Sequence, residues 1–424
     1  MKTNVLVVGS GGREHAIVWK ISNSPLAGRI YCAPGNGGIS EIAECVPIKT
    51  DDIKGLVSFA QERSIDLVIV GPEVPLTMGL VDELTKAGIK AFGPNALAAE
   101  IEGSKVFSKG LLLKYGIPTA KYGVFEGAAP ARAFVRGMEG PWVIKADGLA
   151  AGKGVLIAQT VAEADSAIEE ILSGKILGPA GEKIVIEEFL EGEELSVLAF
   201  CDKKNIVAMV PAQDHKRIYD DDKGPNTGGM GAYSPVAAAT PELMREIDRQ
   251  ILRPVMEAMQ EEGRPYSGVL YPGLMLTKDG PKVLEFNCRF GDPETQVILP
   301  LLKTDLLEII LAVVDERLSE IEIEWQNGTC VTVIMASGGY PRDYQTGIPI
   351  YGINDASKNA LIFHSGTKKK DGCFSTAGGR VLSVTAQGDN IAQALKKAYN
   401  AVEKISFEKA HYRRDIAKRA LKQK

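Results

Sequence analysis

Two stretches far apart in the chain carry the residue types that nucleotide-dependent group transfer needs. The more informative is Val283-Leu284-Glu285-Phe286-Asn287-Cys288-Arg289-Phe290-Gly291-Asp292-Pro293-Glu294-Thr295. Its apolar start reads as a strand, in which residues two apart share a face. Glu285, Asn287 and Arg289 then point one way, and Leu284 and Phe286 turn into the core. Glu plus Asn is an all-oxygen pair suited to Mg²⁺ or Mn²⁺, ions that keep waters and bridge nucleotide phosphates. Arg289 is suited to grip a carboxylate or phosphate through two parallel N–H groups. An ordinary half-exposed strand fits less well, because Asn is depleted in strands and Gly291-Asp292-Pro293 marks a shaped loop.

The second stretch is Lys145-Ala146-Asp147-Gly148-Leu149-Ala150-Ala151-Gly152-Lys153-Gly154-Val155. Lys145 ends a strand, and the segment through Gly154 reads as a hairpin-like loop before the next one. Two lysines and three glycines suit a cover over polyphosphate, through backbone N–H groups and point charges. The spacing is not that of a P-loop, and no helix follows. A third segment, Ile184 to Ser196, runs from an apolar strand through Glu187-Glu188-Phe189-Leu190 to Glu193-Glu194. A strand exit offers an adenine one backbone donor and one acceptor, and a carboxylate can hold a ribose. An acidic run of this kind is also compatible with a plain solvated face.

Near the N-terminus, Gly9-Ser10-Gly11-Gly12-Arg13-Glu14 follows a strand and opens a helix, a natural place for an anion. As a dinucleotide fingerprint it is incomplete, since Glu14 stands where the third glycine belongs. Pro34-Gly35-Asn36-Gly37-Gly38, Gly71-Pro72-Glu73 and Gly93-Pro94 also follow strands. Ligands of open α/β sheets gather at that edge, so these loops together are candidates for a small phosphorylated ligand, although each also serves as turn chemistry. Gln213-Asp214-His215-Lys216-Arg217, continuing to Gly224–Gly231, has the mixed charge and glycine content of a mobile, substrate-closing loop. His215 reads as structural rather than as a base.

The elements that must position these residues follow from periodicity. Strands at Val5–Val8, Arg29–Ala33, Leu67–Val70 and Lys90–Phe92 alternate with helices at Glu14–Ser22, Asp52–Arg63 and Leu80–Ala87, the signature of a doubly wound parallel sheet. A longer helix is expected over Glu102–Lys114. A small α/β unit follows, with strands at Trp142–Lys145, Val155–Ala158 and Ile184–Glu187 and a helix at Val161–Leu172. Leu195–Phe200, Ile206–Pro211, Gly268–Leu276 and Lys282–Asn287 read as strands of a larger antiparallel unit, with Asp214–Tyr233 as a loop and Pro241–Gln260 as a helix. Cys330–Ala336, Arg380–Thr385 and the helix Ile391–Val402 close the chain. At 424 residues the chain exceeds one core. The divisions expected are 1–103, 104–190, 191–326 and 327–424.

A formal net charge of -5 argues against a nucleic-acid-binding face. The six cysteines form no Cys-x-x-Cys pair and the four histidines are scattered, so reduced thiols in a cytoplasm are expected and a zinc site is not. The first residues start a strand directly, and Leu306–Val314 is too short and too interrupted to cross a bilayer.

Taken in order, the segments Gly9–Ala16, Gln213–Arg217, Gly224–Tyr233 and Glu285–Glu294 resemble the phosphoribosylamine–glycine ligase family over the whole chain. The resemblance implies a multi-domain ATP-grasp fold, α/β and α+β, with a doubly wound N-terminal domain and a small C-terminal α/β domain. It implies ATP contacts from Lys105, Lys145 and Lys153, an adenine hinge at Glu187, Glu188, Phe189 and Leu190, and a ribose contact from Glu194. Glu285 and Asn287 would hold Mg²⁺ or Mn²⁺. Arg289, Asp214 and Lys216, with Gly291 and Asp292, would border the glycine and acyl-phosphate region. Gly11, Gly12, Arg13, Asn36, Gly37, Gly38, Pro72 and Glu73 would receive phosphoribosylamine. The implied partners are small molecules acting on a monomer, with no nucleic acid and no membrane. Another ATP-grasp ligase, a nicotinamide-dependent oxidoreductase built on Gly9–Arg13, and a non-catalytic nucleotide-binding module are the competing readings.

Overall fold

A computed structural model describes residues 2–149, 154–173 and 181–421. The first hundred residues form a five-stranded parallel sheet in the order Glu44–Cys45, Ala27–Pro34, Thr3–Gly9, Leu67–Val70, Lys90–Phe92. Successive residues of the first strand feed opposite cores: Leu6 and Val8 pack into one apolar cluster, Val5 and Val7 into the other. Burial on both faces explains the unbroken apolar runs. The loops at Gly9–Gly12, Pro34–Gly38, Gly71–Glu73 and Gly93–Pro94 all leave the same edge, because every strand runs in one direction.

A four-stranded antiparallel sheet orders Tyr122–Phe125, Ile184–Glu188, Trp142–Ala146 and Val155–Ala158. Helices Ala128–Gly137 and Val161–Leu172 cover it, through Ala131, Val135, Ala164 and Ile168. Beside it, the long strand Ser267–Thr277 pairs with Gly280–Asn287, Glu193–Ser196 and Ala199–Asp202, the last carrying Ile206–Ala208. The architecture is thus multi-domain and mixed α/β with an N-terminal parallel sheet, as expected.

Three local expectations need correction. The helix expected over Glu102–Lys114 is two, Ala96–Gly103 and Lys105–Lys114. Ser104 breaks them by going extended (φ -134°, ψ 115°), and its hydroxyl caps the second helix by accepting the Phe107 N–H at 3.0 Å. The strand expected over Leu195–Phe200 is likewise divided, between Glu193–Ser196 and Ala199–Asp202.

Asp214–Tyr233 is not a loop. Gln213–Asp214 and Gly231–Ser234 are strands of a fourth sheet, continued by Thr329–Ala336, Arg380–Gly388 and Leu361–His364. Arg217–Tyr219 and Lys223–Asn226 form a hairpin between them. Of the glycines that read as loop, Gly224 and Gly229 do take the left-handed backbone (φ 79° and 103°), but Gly231 is there for close packing. A Cβ on Gly231 would lie 2.7 Å from the Thr332 carbonyl oxygen and from Ile416 Cδ1.

The N-terminal loops also bind the C-terminal quarter. His15 Nδ1 accepts the His364 N–H at 2.8 Å, and Asn36 donates to the His364 carbonyl at 2.7 Å. Burial, with the second imidazole nearby, pushes His15 down to about 3, and burial pushes His364 down to about 4. The folded state therefore refuses protons that the unfolded chain accepts below about 6.5, so stability falls as pH drops from there toward 4. Each histidine contributes about 1.4 kcal/mol per pH unit in that window. Urea unfolding of wild type and His364→Gln between pH 7 and 5 measures this: the variant should show the shallower loss, and parallel slopes would refute the assignment.

Candidate functional site

Strand Gly280–Asn287 carries an irregularity that shapes the site. Glu285 pairs with Gly273 and Val283 with Leu274, so Leu284 is an extra residue with no partner. Val283 and Phe286 are the buried pair, and Leu284, expected in the core, lies on the cleft wall instead. Its freed carbonyl accepts from Lys145 Nζ at 3.0 Å. Glu285 and Asn287 face the same cleft, of about 450 Å³, with Arg289 beside them. The lysine-bearing strand end and the Glu/Asn strand therefore close on one space.

Lys105, Lys109 and Lys145 line one wall of it. Lys105 and Lys109 project from one face of their helix, one turn apart, and Lys105 Nζ reaches the Gly148 carbonyl at 3.1 Å. Between Lys109 and Lys145 sits the buried Glu187 carboxylate, at 2.9 and 2.8 Å. Burial lowers Lys105, and it lowers Lys109 to about 8 against the opposing pull of Glu187. Glu187 thus spends its carboxylate on the lysines. Glu188 accepts the Lys121 N–H at 3.0 Å, Phe189 is partly exposed and Leu190 buried, and none of these three lines the cleft. Lys153 lies outside the described residues.

Burial pushes the Glu285 carboxyl up, but Lys216, Lys145, Lys105 and Arg289 outweigh it and hold the group below its ordinary value. An ionised carboxylate beside an amide oxygen, neither engaged in an ion pair among the described residues, is a donor set that fits Mg²⁺ or Mn²⁺.

Across the cleft, Lys216 Nζ pairs with Glu194 at 3.0 Å, an attraction that holds the ammonium well above its usual range. Burial raises Asp214 to about 8, with Lys216 opposing and Glu294 and Glu194 reinforcing. Tyr271 donates to Glu294 at 2.7 Å.

Arg289 is held from two sides, by Glu73 at Nε (3.2 Å) and Glu102 at Nη2 (3.0 Å), while Nη1 donates to its neighbour's carbonyl. Two of its five N–H groups are left, enough for a bidentate contact. Arg13 and Pro72 share this end of the cleft with Asp292, which burial raises but Arg380 and Arg13 hold low.

The glycine-rich N-terminal turn is committed internally. Gly11 N–H donates to Glu14 Oε2 at 2.6 Å, and Glu14 Oε1 accepts from Arg13 Nε at 2.5 Å. A Cβ on Gly9 or Gly71 would collide with that buried carboxylate, at 2.4 and 2.1 Å. Glu14 thus fills the space a dinucleotide pyrophosphate would need, which removes the physical basis of the oxidoreductase reading. Gly12 packs against Gln296, Ser365 and Ser383; Gly37 and Gly38 lie against Lys368 and His364; Gly291 packs on Glu294. Asn36 closes its own loop, accepting from Gly38 and Ile39 N–H. Expected at the substrate, these six residues are absent from the cleft lining and lie at packed seams instead.

The residues that sequence reasoning missed are Glu102, Lys109, Tyr271, Glu294 and Arg380. Lys109 had a readable signal, four residues after Lys105. Arg380 had none: it arrives from the C-terminal sheet to hold the Asp292 carbonyl at 3.0 Å and the Gly228 carbonyl at 2.6 Å.

The chain matches three family models: phosphoribosylglycinamide synthetase N domain over residues 3–102, the ATP-grasp (A) domain over 103–295 and the C domain over 330–419. It is 50% identical over 413 residues to the phosphoribosylamine–glycine ligase of Caldanaerobacter subterraneus, covering 97% of this chain and 99% of the relative. To that of a Nostoc species it is 52% identical over 421 residues, covering 98% and 99%. Among solved structures it resembles the phosphoribosylamine–glycine ligase of Thermotoga maritima, with TM-score 0.86, 34% identity and coverage of 98% and 100%. The biotin carboxylase domain of Hydrogenobacter thermophilus 2-oxoglutarate carboxylase, solved with MgADP, shares the fold at TM-score 0.73 and 16% identity, covering 97% and 92%.

Proposed function

The chain belongs to the phosphoribosylglycinamide synthetase family, and from that premise we propose that its cleft joins glycine to 5-phosphoribosylamine through a glycyl-phosphate intermediate. The protein is an ATP-dependent ligase of purine biosynthesis, forming glycinamide ribonucleotide, ADP and phosphate. The observation that carries the site reading is the meeting of the lysine wall and the Glu285/Asn287 strand on one cleft.

On this reading Lys105, Lys109 and Lys145 receive the phosphates, with Lys153 on the cover loop. The adenine extends past the lysine wall to the strand exit Glu187 to Leu190, whose last three residues lie outside the cleft lining, and Glu194 lies toward the ribose. Glu285 and Asn287 hold Mg²⁺ or Mn²⁺, which would supply positive charge against the phosphate oxygens. A glycine carboxylate oxygen attacks the γ-phosphorus and the bond to the ADP oxygen breaks. The amine nitrogen of phosphoribosylamine then attacks the acyl carbon, the carbon–oxygen bond to phosphate breaks, and the nitrogen gives up its proton. No protein nucleophile is needed; fixed cations stabilise the developing charge. Arg289, with Asp214 and Lys216, borders the acyl phosphate, and Arg13, Pro72, Glu73 and Asp292 border the phosphoribosylamine.

Among the described residues no helix is long and apolar enough to cross a membrane. The six free cysteines favour a cytoplasmic protein, and the net charge of -5 disfavours nucleic acid; small molecules acting on a monomer complete the reading. The test is a coupled ADP-release assay on protein whose mass is followed by light scattering. ADP should form only with glycine and phosphoribosylamine together, at a mass near 45.5 kDa. Release with another acid–amine pair, and none with this one, would overturn the specificity.

A further inference from the structure

The short corner between helices Ala96–Gly103 and Lys105–Lys114 fastens three walls of the cleft at once. Lys105 reaches the Gly148 carbonyl at 3.1 Å. Ser104 donates to Asp147 at 3.1 Å, and the Val106 N–H donates to the same carboxylate at 3.1 Å, so the start of the glycine hairpin is tied to the helix. Glu102 holds the third wall with both oxygens. Oε2 accepts the Cys288 N–H at 2.7 Å, on the peptide bond that joins Asn287 to Cys288, and Oε1 lies 3.0 Å from Arg289 Nη2.

We propose that Glu102 is the positioning residue of this site, holding the strand end so that Asn287 and Arg289 keep one fixed spacing. The inference rests on the ligase reading above and extends it to a residue that itself makes no contact with the reacting atoms. The physical reason is the end of the ladder. Strand Gly280–Asn287 loses its partner after the Asn287–Tyr271 pairing. The next N–H, at Cys288, would be a buried orphan without Glu102. A carboxylate is the group that suits the place, because it alone offers two acceptors to two donors pointing in different directions. Its side chain is only 8% exposed, so water cannot substitute for it. Glu73, the other carboxylate on Arg289, is more exposed and makes no contact with the Cys288 amide.

Two variants separate positioning from general support. Glu102→Gln keeps the volume and one acceptor, but presents an N–H₂ to one of the two donors; Glu102→Ala removes both contacts. Misplacing a reacting group by about 1 Å costs on the order of 10²-fold in rate. Glu102→Ala should therefore lower kcat by about 100-fold and Glu102→Gln by about 10-fold. The KM for ATP and the Kd for ADP should stay within about twofold, because Lys105 and Lys145 are anchored by other partners. Wild-type kcat in a folded Glu102→Gln overturns the proposal. So does a rise in the KM for ATP parallel to the loss in kcat, the pattern of a generally loosened fold. If Glu102→Ala does not fold, Glu102→Gln alone decides between these outcomes. A wild-type chain that releases no ADP with glycine and phosphoribosylamine would instead refute the ligase reading itself.

Discussion

Replacing Glu285 or Asn287 by alanine is expected to abolish ligase turnover, by at least about 10³-fold, while leaving the protein folded. Both side chains face the cleft, and neither is engaged in an ion pair among the described residues. The packing of their strand is carried by Val283 and Phe286, which are buried in the apolar core. Lys216, Lys145, Lys105 and Arg289 together also hold the Glu285 carboxyl below its ordinary range, against the cost of burial. Deleting it removes the oxygen that suits a hard divalent ion and leaves those cations facing one another. ADP release with saturating substrates, alongside thermal unfolding, reads both halves of the expectation. Wild-type-like turnover in both variants would remove the metal assignment.

Lys145→Met should lower kcat/KM for ATP by about 10²- to 10³-fold. Its ammonium touches Glu187 at 2.8 Å and the Leu284 carbonyl at 3.0 Å, so one group links the small sheet to the irregular strand that carries Glu285. Methionine fills the volume but leaves Leu284 without its donor and Glu187 with Lys109 alone. Lys109→Met should reproduce the defect more weakly, by about tenfold, since it loosens Glu187 while Lys105 and Lys145 still face the phosphates. A Lys145→Met enzyme whose KM for ATP and kcat both stay within twofold of wild type would place the triphosphate elsewhere.

Much of this site was legible because its motifs are local. A strand ending in Glu-x-Asn and a lysine at the exit of another strand are short patterns, and periodicity located both. What was hidden depends on contacts across the chain. The unpaired Leu284 follows from the register against Gly273 and Leu274, which no local pattern reveals. The break at Ser104 did have a local signal, a glycine followed by a serine suited to cap a helix, but the helical pattern on both sides outweighed it. Gly224 to Gly231 looked like loop because glycine has two uses, turning and close packing, and composition does not separate them. The same ambiguity put Gly12, Gly37 and Gly38 at a ligand rather than at a packed seam. Glu102 and Arg380 gave no sign, since a lone charged residue near a helix end or a strand start is ordinary.

The fourth sheet has a consequence for how the protein is made. Gly231–Ser234 hydrogen-bonds to Thr329–Ala336, which leaves the ribosome about 100 residues later, a wait on the order of 5–20 s at ordinary rates of synthesis. Glu285 and Asn287 are translated during that interval, whereas Gly231–Ser234, the strand paired with Gln213–Asp214, still lacks its second neighbour. The growing chain therefore carries every residue of its triphosphate grip before the sheet behind Asp214 is complete.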